Sequence, residues 1–241
     1  MKYKITISYD GSKYHGLQKL KNENTIQGEL EKVLEMCNEQ PVKVVSSGRT
    51  DKGVHAINQV CSFELQKNID PYKLKGYLNR STSPYLYVKS CEYIDDENFH
   101  ARFSIKKKTY KYTINIGSYD PIKNDYVFNY NKPLNMDKMK EASSILLGPH
   151  NYRAFVTGKH DTCDSIIDSI EIMKTSDTIE IYIKGKAFYT YMVRNIVATL
   201  VLVGSGVLEK EAIAKMLETG KKVVEYSPAP ASGLYLVELI Y

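Results

Sequence analysis

Residues 46–56 read Ser-Ser-Gly-Arg-Thr-Asp-Lys-Gly-Val-His-Ala, with one carboxylate, Asp51, set between Arg49 and Lys52. A carboxylate in this setting is ionised at neutral pH, its ordinary pKa being about 3.9, so it needs positioning more than activation. It can attack an electrophilic sugar carbon to form a glycosyl ester, or stabilise oxocarbenium-like charge. Gly48 and Gly53 bracket the Arg-Thr-Asp triplet. Glycine permits tight backbone geometry and the close approach of another molecule. On composition alone, a polar hairpin turn accounts for the stretch as well.

Arg194 is the second unusual residue, because it interrupts the apolar helical pattern of residues 189–203. A buried arginine costs several kcal/mol unless it is paired. Either its stem lies along a surface face with the head in water, or it meets a buried carboxylate, for which Asp51 is the natural partner. A third region runs from Phe99-His100-Ala101-Arg102-Phe103 into Lys106-Lys107-Lys108-Thr109-Tyr110-Lys111-Tyr112. Cations interleaved with rings suit nucleic-acid phosphates and bases. A lysine run is more usually a solvated face, and a strand tyrosine such as Tyr110 is, by itself, more often a core residue. His15, His55, His100, His150 and His160 lack ligand spacing, and Cys37, Cys61, Cys91 and Cys163 form no CxxC pair, so no metal site is expected.

These residues need elements to hold them. Residues 2–9 alternate Tyr3, Ile5, Ile7 and Tyr9 against Lys4, Thr6 and Ser8, which predicts a half-buried strand. Asn24 with Gln27 predicts a capping box for a helix ending near Asn38. The carboxylate stretch then lies between a strand at 42–45 and another at 59–63. Pro71 opens a second helix, and 85–93 is a strand. The order β-α-β-β-α-β predicts a ferredoxin-like split arrangement. The theme recurs less clearly: a strand at 109–116, a helix capped by Asn135 and stopped by Gly148-Pro149, a hairpin over 165–186, helices at 189–203 and 209–219, and a last strand at 234–240. The expectation is an α+β protein of two ferredoxin-like halves, residues 1–104 with the Asp loop and 105–241 with Tyr110 and the Arg194 helix. They would share a largely antiparallel central sheet, with helices on one face and an active-site cleft on the other.

The chain has 241 residues, with Lys plus Arg at 33 against Asp plus Glu at 28, a formal charge of +5. That excess permits a polyanionic partner without demanding one. Widely spaced cysteines, a charged start at Lys2 and no apolar run of about 18 residues point to a cytoplasmic setting with free thiols and no membrane partner.

Several blocks together resemble the tRNA pseudouridine synthase A family. They are Tyr9-Asp10-Gly11-Ser12 with Gly16 and Gln18, Thr25-Ile26-Gln27-Gly28, Gly48 to Ala56 with Gln59-Val60, Phe99 to Ser104, Lys108 to Tyr112, Met192 to Val197, and Ala229 to Leu236. The resemblance implies isomerisation of uridine to pseudouridine in the anticodon stem-loop of tRNA, at positions 38, 39 and 40 in tRNA numbering. It implies no cofactor, no metal, and a homodimer. By carry-over Asp51 is the nucleophile, Arg49 helps displace the target nucleotide, Tyr110 stacks on or near the uracil, and Arg194 pairs with Asp51. Leu17 stands where the family usually has tryptophan, Ile167 or Asp168 where an arginine is common, and Ala198 where a glycine is usual. These departures leave room for a paralogue acting on another RNA uridine. Two other classes remain: a non-catalytic RNA-binding protein of the same fold, and a hydrolase using Asp51 with His55 or His100. A pure binding module has no need of a carboxylate facing phosphate.

Overall fold

Alternation along the first strand sets the first layer of structure. In β1 (Lys2–Tyr9), Tyr3, Ile5 and Ile7 are wholly buried, while Lys4, Thr6 and Ser8 between them keep partial exposure. Successive strand side chains point to opposite faces, so one face of this sheet is core. The computed structural model describes residues 1–241 and divides them into two units, Met1–Lys106 with Tyr235–Tyr241, and Lys107–Leu234.

In the first unit, β1 lies between β3 (His55–Glu64) and β4 (Leu86–Tyr93), antiparallel to both, with Tyr3 opposite Phe63 and Tyr93. On the far edge of β3, the short β2 (Val45–Ser46) pairs antiparallel through Val45 and Ser62. The last strand of the chain, β10 (Leu234–Ile240), pairs parallel to β3 at Tyr235 and His55. Helices α1 (Ile26–Asn38) and α2 (Pro71–Ser81) bury Ile26, Leu30, Val33, Leu34, Leu74 and Leu78. This is the split β-α-β-β-α-β order.

Two local expectations are corrected. The cap of α1 is Thr25, not Asn24: its hydroxyl accepts the Gly28 N–H at 3.2 Å, while Asn24 donates to the Lys13 carbonyl. With Thr25 as cap, the third helical residue is Gly28, which has no side chain to reach back, so no capping box forms. Gln27 instead donates to Glu31 and to the Val44 carbonyl. The expected strand at 42–45 shrinks for a related reason. The Val44 N–H is taken by the Glu31 carboxylate at 3.1 Å and is lost to the ladder.

In the second unit the strand order is β5-β9-β8-β7, all antiparallel, for β5 (Lys107–Asn115), β7 (Gly148–Asn151), β8 (Asp164–Thr175) and β9 (Thr178–Gly185). A two-residue β6 (Phe128–Asn129) lies parallel to β5. The sequence β5, α3 (Met136–Ser144), β8, β9, α4 (Met192–Gly204) places β9 between β5 and β8, as β3 lies between β1 and β2. The fold is therefore a mixed α+β structure with the same motif repeated. Gly148-Pro149 is not a helix stop. The helix ends at Ser144, and Gly148, with φ of 91°, begins β7. Proline is tolerated there because β7 is an edge strand. Helix α4 is apolar on nearly every side and correspondingly buried, and the amphipathic α5 (Glu211–Thr219) follows it.

The Thr25 hydroxyl is the side-chain cap of α1, and Thr25 is almost wholly buried. Thr25→Ala is expected to lower unfolding stability by about 1 kcal/mol, read as a drop in the urea midpoint with an unchanged m-value.

Candidate active site

Loop 47–54 joins β2 to β3 and carries Asp51. It is not a solvent-exposed hairpin tip. Ser47 at its base donates its backbone N–H to the Val60 carbonyl at 2.9 Å and its hydroxyl to Gln59 Oε1. The Gln59 amide also donates to the Gly48 carbonyl at 3.1 Å and accepts the Val60 N–H. Ser47 and Gln59 are completely buried. Buried polar groups must be paired, so this amide fixes where the loop leaves the sheet.

The middle of the loop is held from two further directions. Thr50 points inward, its hydroxyl 2.8 Å from the Tyr9 hydroxyl on β1, and its carbonyl accepts the Leu17 N–H at 3.1 Å. Gly16 backs the same segment in a left-handed conformation, φ 91°. A Cβ there would lie 2.9 Å from the Thr50 carbonyl oxygen and 3.3 Å from the Lys52 nitrogen. Beyond Asp51 the chain turns through Gly53, φ 82°, and the Val54 N–H returns to the Asp51 carbonyl at 3.1 Å. Val54 is buried against Gly11, where a Cβ would meet the Val54 carbonyl at 2.0 Å. Asp51 is thus half-buried on a backbone pinned on both sides, and Arg49 on the same loop is exposed. Lys52 is exposed with Nζ 2.9 Å from His15 Nε2, and His15 Nδ1 lies 3.1 Å from the Glu23 carboxylate.

The histidines of the hydrolase reading are engaged otherwise. His55 is buried, accepts the Gly11 N–H at Nδ1, and stacks on Tyr235 with ring centres 4.6 Å apart. His100 Nδ1 caps its own turn, accepting the N–H groups of Arg102 and Phe103. Nor does the first unit offer an activated thiol. Burial pushes Cys61 and Cys91 up to about 12, and raises Cys37 as well, so each stays protonated at neutral pH. No cluster of three or more His, Cys, Asp or Glu side chains is placed to hold a metal, and no helix is long and apolar enough to cross a membrane.

Tyr110 and Arg194 belong to the second unit. Tyr110 lies on β5 opposite Ile183, 8 % exposed, with its ring edge-on to Phe188 at 5.1 Å. Arg194, on the first turn of α4, is half-buried. Its Nε donates to the Ala229 carbonyl at 2.6 Å, and the Ala229 N–H returns to the Arg194 carbonyl. The guanidinium also lies 4.7 Å from the ring centre of Tyr191, itself held at φ 59° where α4 begins. Arg194 is thus oriented by a backbone bracket and a ring, and is no loosely snorkelling side chain.

Four contributors escaped the sequence reading: Tyr9, Gln59, Gly16 as a backstop, and Tyr112. The Tyr112 hydroxyl donates to the Pro230 carbonyl at 2.7 Å and its ring fills the space a Cβ on Gly233 would need. With Arg194 it fixes residues 229–233. Their signal lay in motif blocks whose positioning work shows only in three dimensions.

The chain is thus a repeated split β-α-β fold whose glycine-bracketed loop holds Asp51 on an anchored backbone. The family model described as tRNA pseudouridine synthase matches residues 5–104 and 142–241. The chain belongs to that family. The tRNA pseudouridine synthase A of Malacoplasma penetrans is 38% identical over 243 residues, covering 100% of each chain. A protein named tRNA pseudouridine synthase A 2 from Bacillus cereus is 38% identical over 238 residues, 97% of each. The tRNA pseudouridine synthase A of Bacillus licheniformis is 38% identical over 246 residues, 100% of this chain and 99% of that one.

Gln59→Leu keeps the volume but removes the amide that the Ser47 hydroxyl, the Gly48 carbonyl and the Val60 N–H bond to. The expected loss is about 2 kcal/mol of stability. Adding Ser47→Ala is expected to cost less than the sum of the two single losses, because the two side chains share one hydrogen bond. Additive losses in chemical denaturation would show that the pair is not coupled.

Proposed function

We infer that this chain is an isomerase that converts uridine to pseudouridine in tRNA. End-to-end similarity to named tRNA pseudouridine synthases carries the reading, and the anchored Asp51 loop supports it. The reaction breaks the C1′–N1 bond, turns the uracil, joins C1′ to C5, and moves the C5 hydrogen off as a proton while N1 gains one. Composition and oxidation state are unchanged, so the chemistry requires no redox cofactor.

On this reading Asp51 acts at C1′, by attack or by removing a neighbouring proton. A pinned backbone suits that task, since a carboxylate that is already ionised gains chiefly from orientation. Extruding the target nucleotide costs a few kcal/mol. Exposed Arg49 can occupy the vacated space and bind phosphate. Tyr110 stacks on or near the uracil and is the candidate to take the C5 proton. Arg194, with Nε held by Ala229, serves Asp51 as counter-ion through its remaining N–H groups. The finer assignment is to positions 38, 39 and 40 of the anticodon stem-loop, by a cytoplasmic homodimer.

C5-tritiated tRNA transcript tests this directly. Asp51→Asn is expected to abolish tritium release and pseudouridine while RNA affinity stays within a few-fold of wild type. Wild-type product from that variant would remove Asp51 from the nucleophile's role, and free uracil in place of pseudouridine would point to a hydrolase. Arg194→Ala is expected to lose activity together with some stability, since it empties the bracket around Ala229. Activity equal to wild type would refute the counter-ion assignment. Mapping product in tRNAs bearing a single uridine at 38, 39 or 40 tests the positional assignment.

A further inference from the structure

The turn into β4 and the first residues of that strand carry a pattern that the proposed chemistry leaves unused. In Tyr85-Leu86-Tyr87-Val88-Lys89 the apolar residues Leu86 and Val88 are buried, while Tyr85 is 46 % and Tyr87 53 % exposed and Lys89 is exposed. Core packing explains the first set and says nothing of the second. Tyr87 lies in β4 between the buried Leu86 and Val88, so its ring stands on the exposed face; Tyr85 precedes the strand in a turn, and Lys89 follows where the pairing with β1 shifts register. Tyr3 and Tyr93, by contrast, use their hydroxyls on the Ile69 carbonyl and on Asn68. No hydrogen bond holds the hydroxyls of Tyr85 and Tyr87.

Cations flank the rings. Lys13 Nζ lies 5.8 Å from the Tyr85 ring centre. Lys89 reaches across to the Ile57 carbonyl at 3.2 Å and Asn58 Oδ1 at 2.6 Å, which steadies the ammonium and leaves its charge uncancelled by any carboxylate. Two acids of the adjoining segments are already engaged. Asp10 accepts from the Ser12 N–H and hydroxyl, and Glu92 pairs with Lys4 at 2.6 Å. The strip also sits at the loop end of the sheet. Tyr9 pairs with both Ala56 and Leu86, and the Asp10 N–H donates to the Tyr85 carbonyl. Asp10 and Gly11 in turn back His55 and Val54 at the end of the Asp51 loop.

We propose that Tyr85, Tyr87 and Lys89, with Lys13 at the rim, form an RNA-contacting strip that stacks unpaired nucleotides flanking the target uridine and binds their phosphates. Rings exposed on a sheet can stack bases of any sequence, and neighbouring cations track the backbone. The inference rests on the reading that this protein acts on RNA. Its chemistry fits an unpaired strand better than a duplex, whose bases present no open faces.

The test measures binding and turnover separately, on the full chain. Affinity for a fluorescein-labelled stem-loop RNA is followed by anisotropy, and pseudouridine formation gives KM and kcat. Tyr85→Ala with Tyr87→Ala is expected to weaken binding and raise KM by about 10-fold or more, with kcat within two-fold and an unchanged thermal midpoint. Tyr85→Phe with Tyr87→Phe keeps the rings and is expected to behave as wild type. Lys89→Ala is expected to lower the slope of log affinity against log salt by about one. Wild-type affinity in the double alanine variant would overturn the strip. So would a variant that changes sedimentation from dimer to monomer with unchanged RNA affinity, since the strip would then serve a second copy of this chain. A wild-type protein that binds the RNA but makes no pseudouridine would refute the proposed function alone, while one that binds no RNA would refute both.

Discussion

A loop can place its side chains no better than its backbone, and in the 47–54 loop the backbone is fixed by the need to satisfy buried polar groups. Gln59 and Ser47 are wholly enclosed, so their amide and hydroxyl cannot fall back on water. Each is tied to the loop base instead. An unpaired buried partner costs about 1–3 kcal/mol, and that penalty holds Gly48 in place. Thr50 extends the same constraint: its hydroxyl engages Tyr9 and its carbonyl engages Leu17, on two segments remote in sequence. Asp51 follows directly. The backbone that carries Asp51 is therefore placed by the fold itself, through Thr50 on one side and the Val54 N–H on the other.

The second unit applies the same logic to a cation. Arg194 spends one N–H on the Ala229 carbonyl, and the Ala229 N–H answers to the Arg194 carbonyl. With Nε committed and the plane of the guanidinium set beside Tyr191, the direction of the remaining donors is fixed. Lysine could not reproduce this, because its ammonium is a point charge on a flexible stem with no planar fork. The bracket also explains the Ala229-Pro230-Ala231-Ser232-Gly233 run. Tyr112 takes the Pro230 carbonyl, Ser232 donates to the Val127 carbonyl, and Gly233 leaves room for the Tyr112 ring.

Legibility in the sequence divides along a physical line. Period-two strands such as β1 and β9, and helices with a clean apolar stripe, were readable because local pattern and burial agree. Elements decided by a remote partner were not. The β2 strand loses Val44 to a carboxylate thirteen residues away, and β7 exists because β8 offers an edge to Gly148-Pro149. The last strand shows the same limit: its alternation reveals a strand, but its parallel pairing with β3 spans most of the chain. The candidate residues Asp51, Arg49, Tyr110 and Arg194 could be singled out by residue type and motif. What holds them could not, since the anchoring by Tyr9, Gly16, Gln59 and Ala229 joins residues with no local relation. His55 was ambiguous for the same reason: its burial, the Gly11 N–H it accepts, its approach to Asp10 and its stacking on Tyr235 show only in three dimensions.

The charge balance constrains how such a protein can hold a polyanion. A formal charge of +5 on 241 residues is modest, and many cations are already paired on the protein's own surface: Lys4 with Glu92, Lys19 with Glu31, Lys67 with Glu39, Lys107 with Asp168, Lys111 with Glu180, Lys210 with Glu141. Each pair that persists is one fewer counter-ion released on binding phosphate. Cations held in such pairs add less to affinity for a polyanion than free ones would, so contacts less sensitive to salt can add to it. Tyrosine is the available means, at 20 residues with no tryptophan. Those with buried hydroxyl partners, such as Tyr3, Tyr14, Tyr112 and Tyr152, belong to the core. Those left open on strand faces offer ring area to an unpaired base, at a small entropic cost because each ring has only two rotatable bonds.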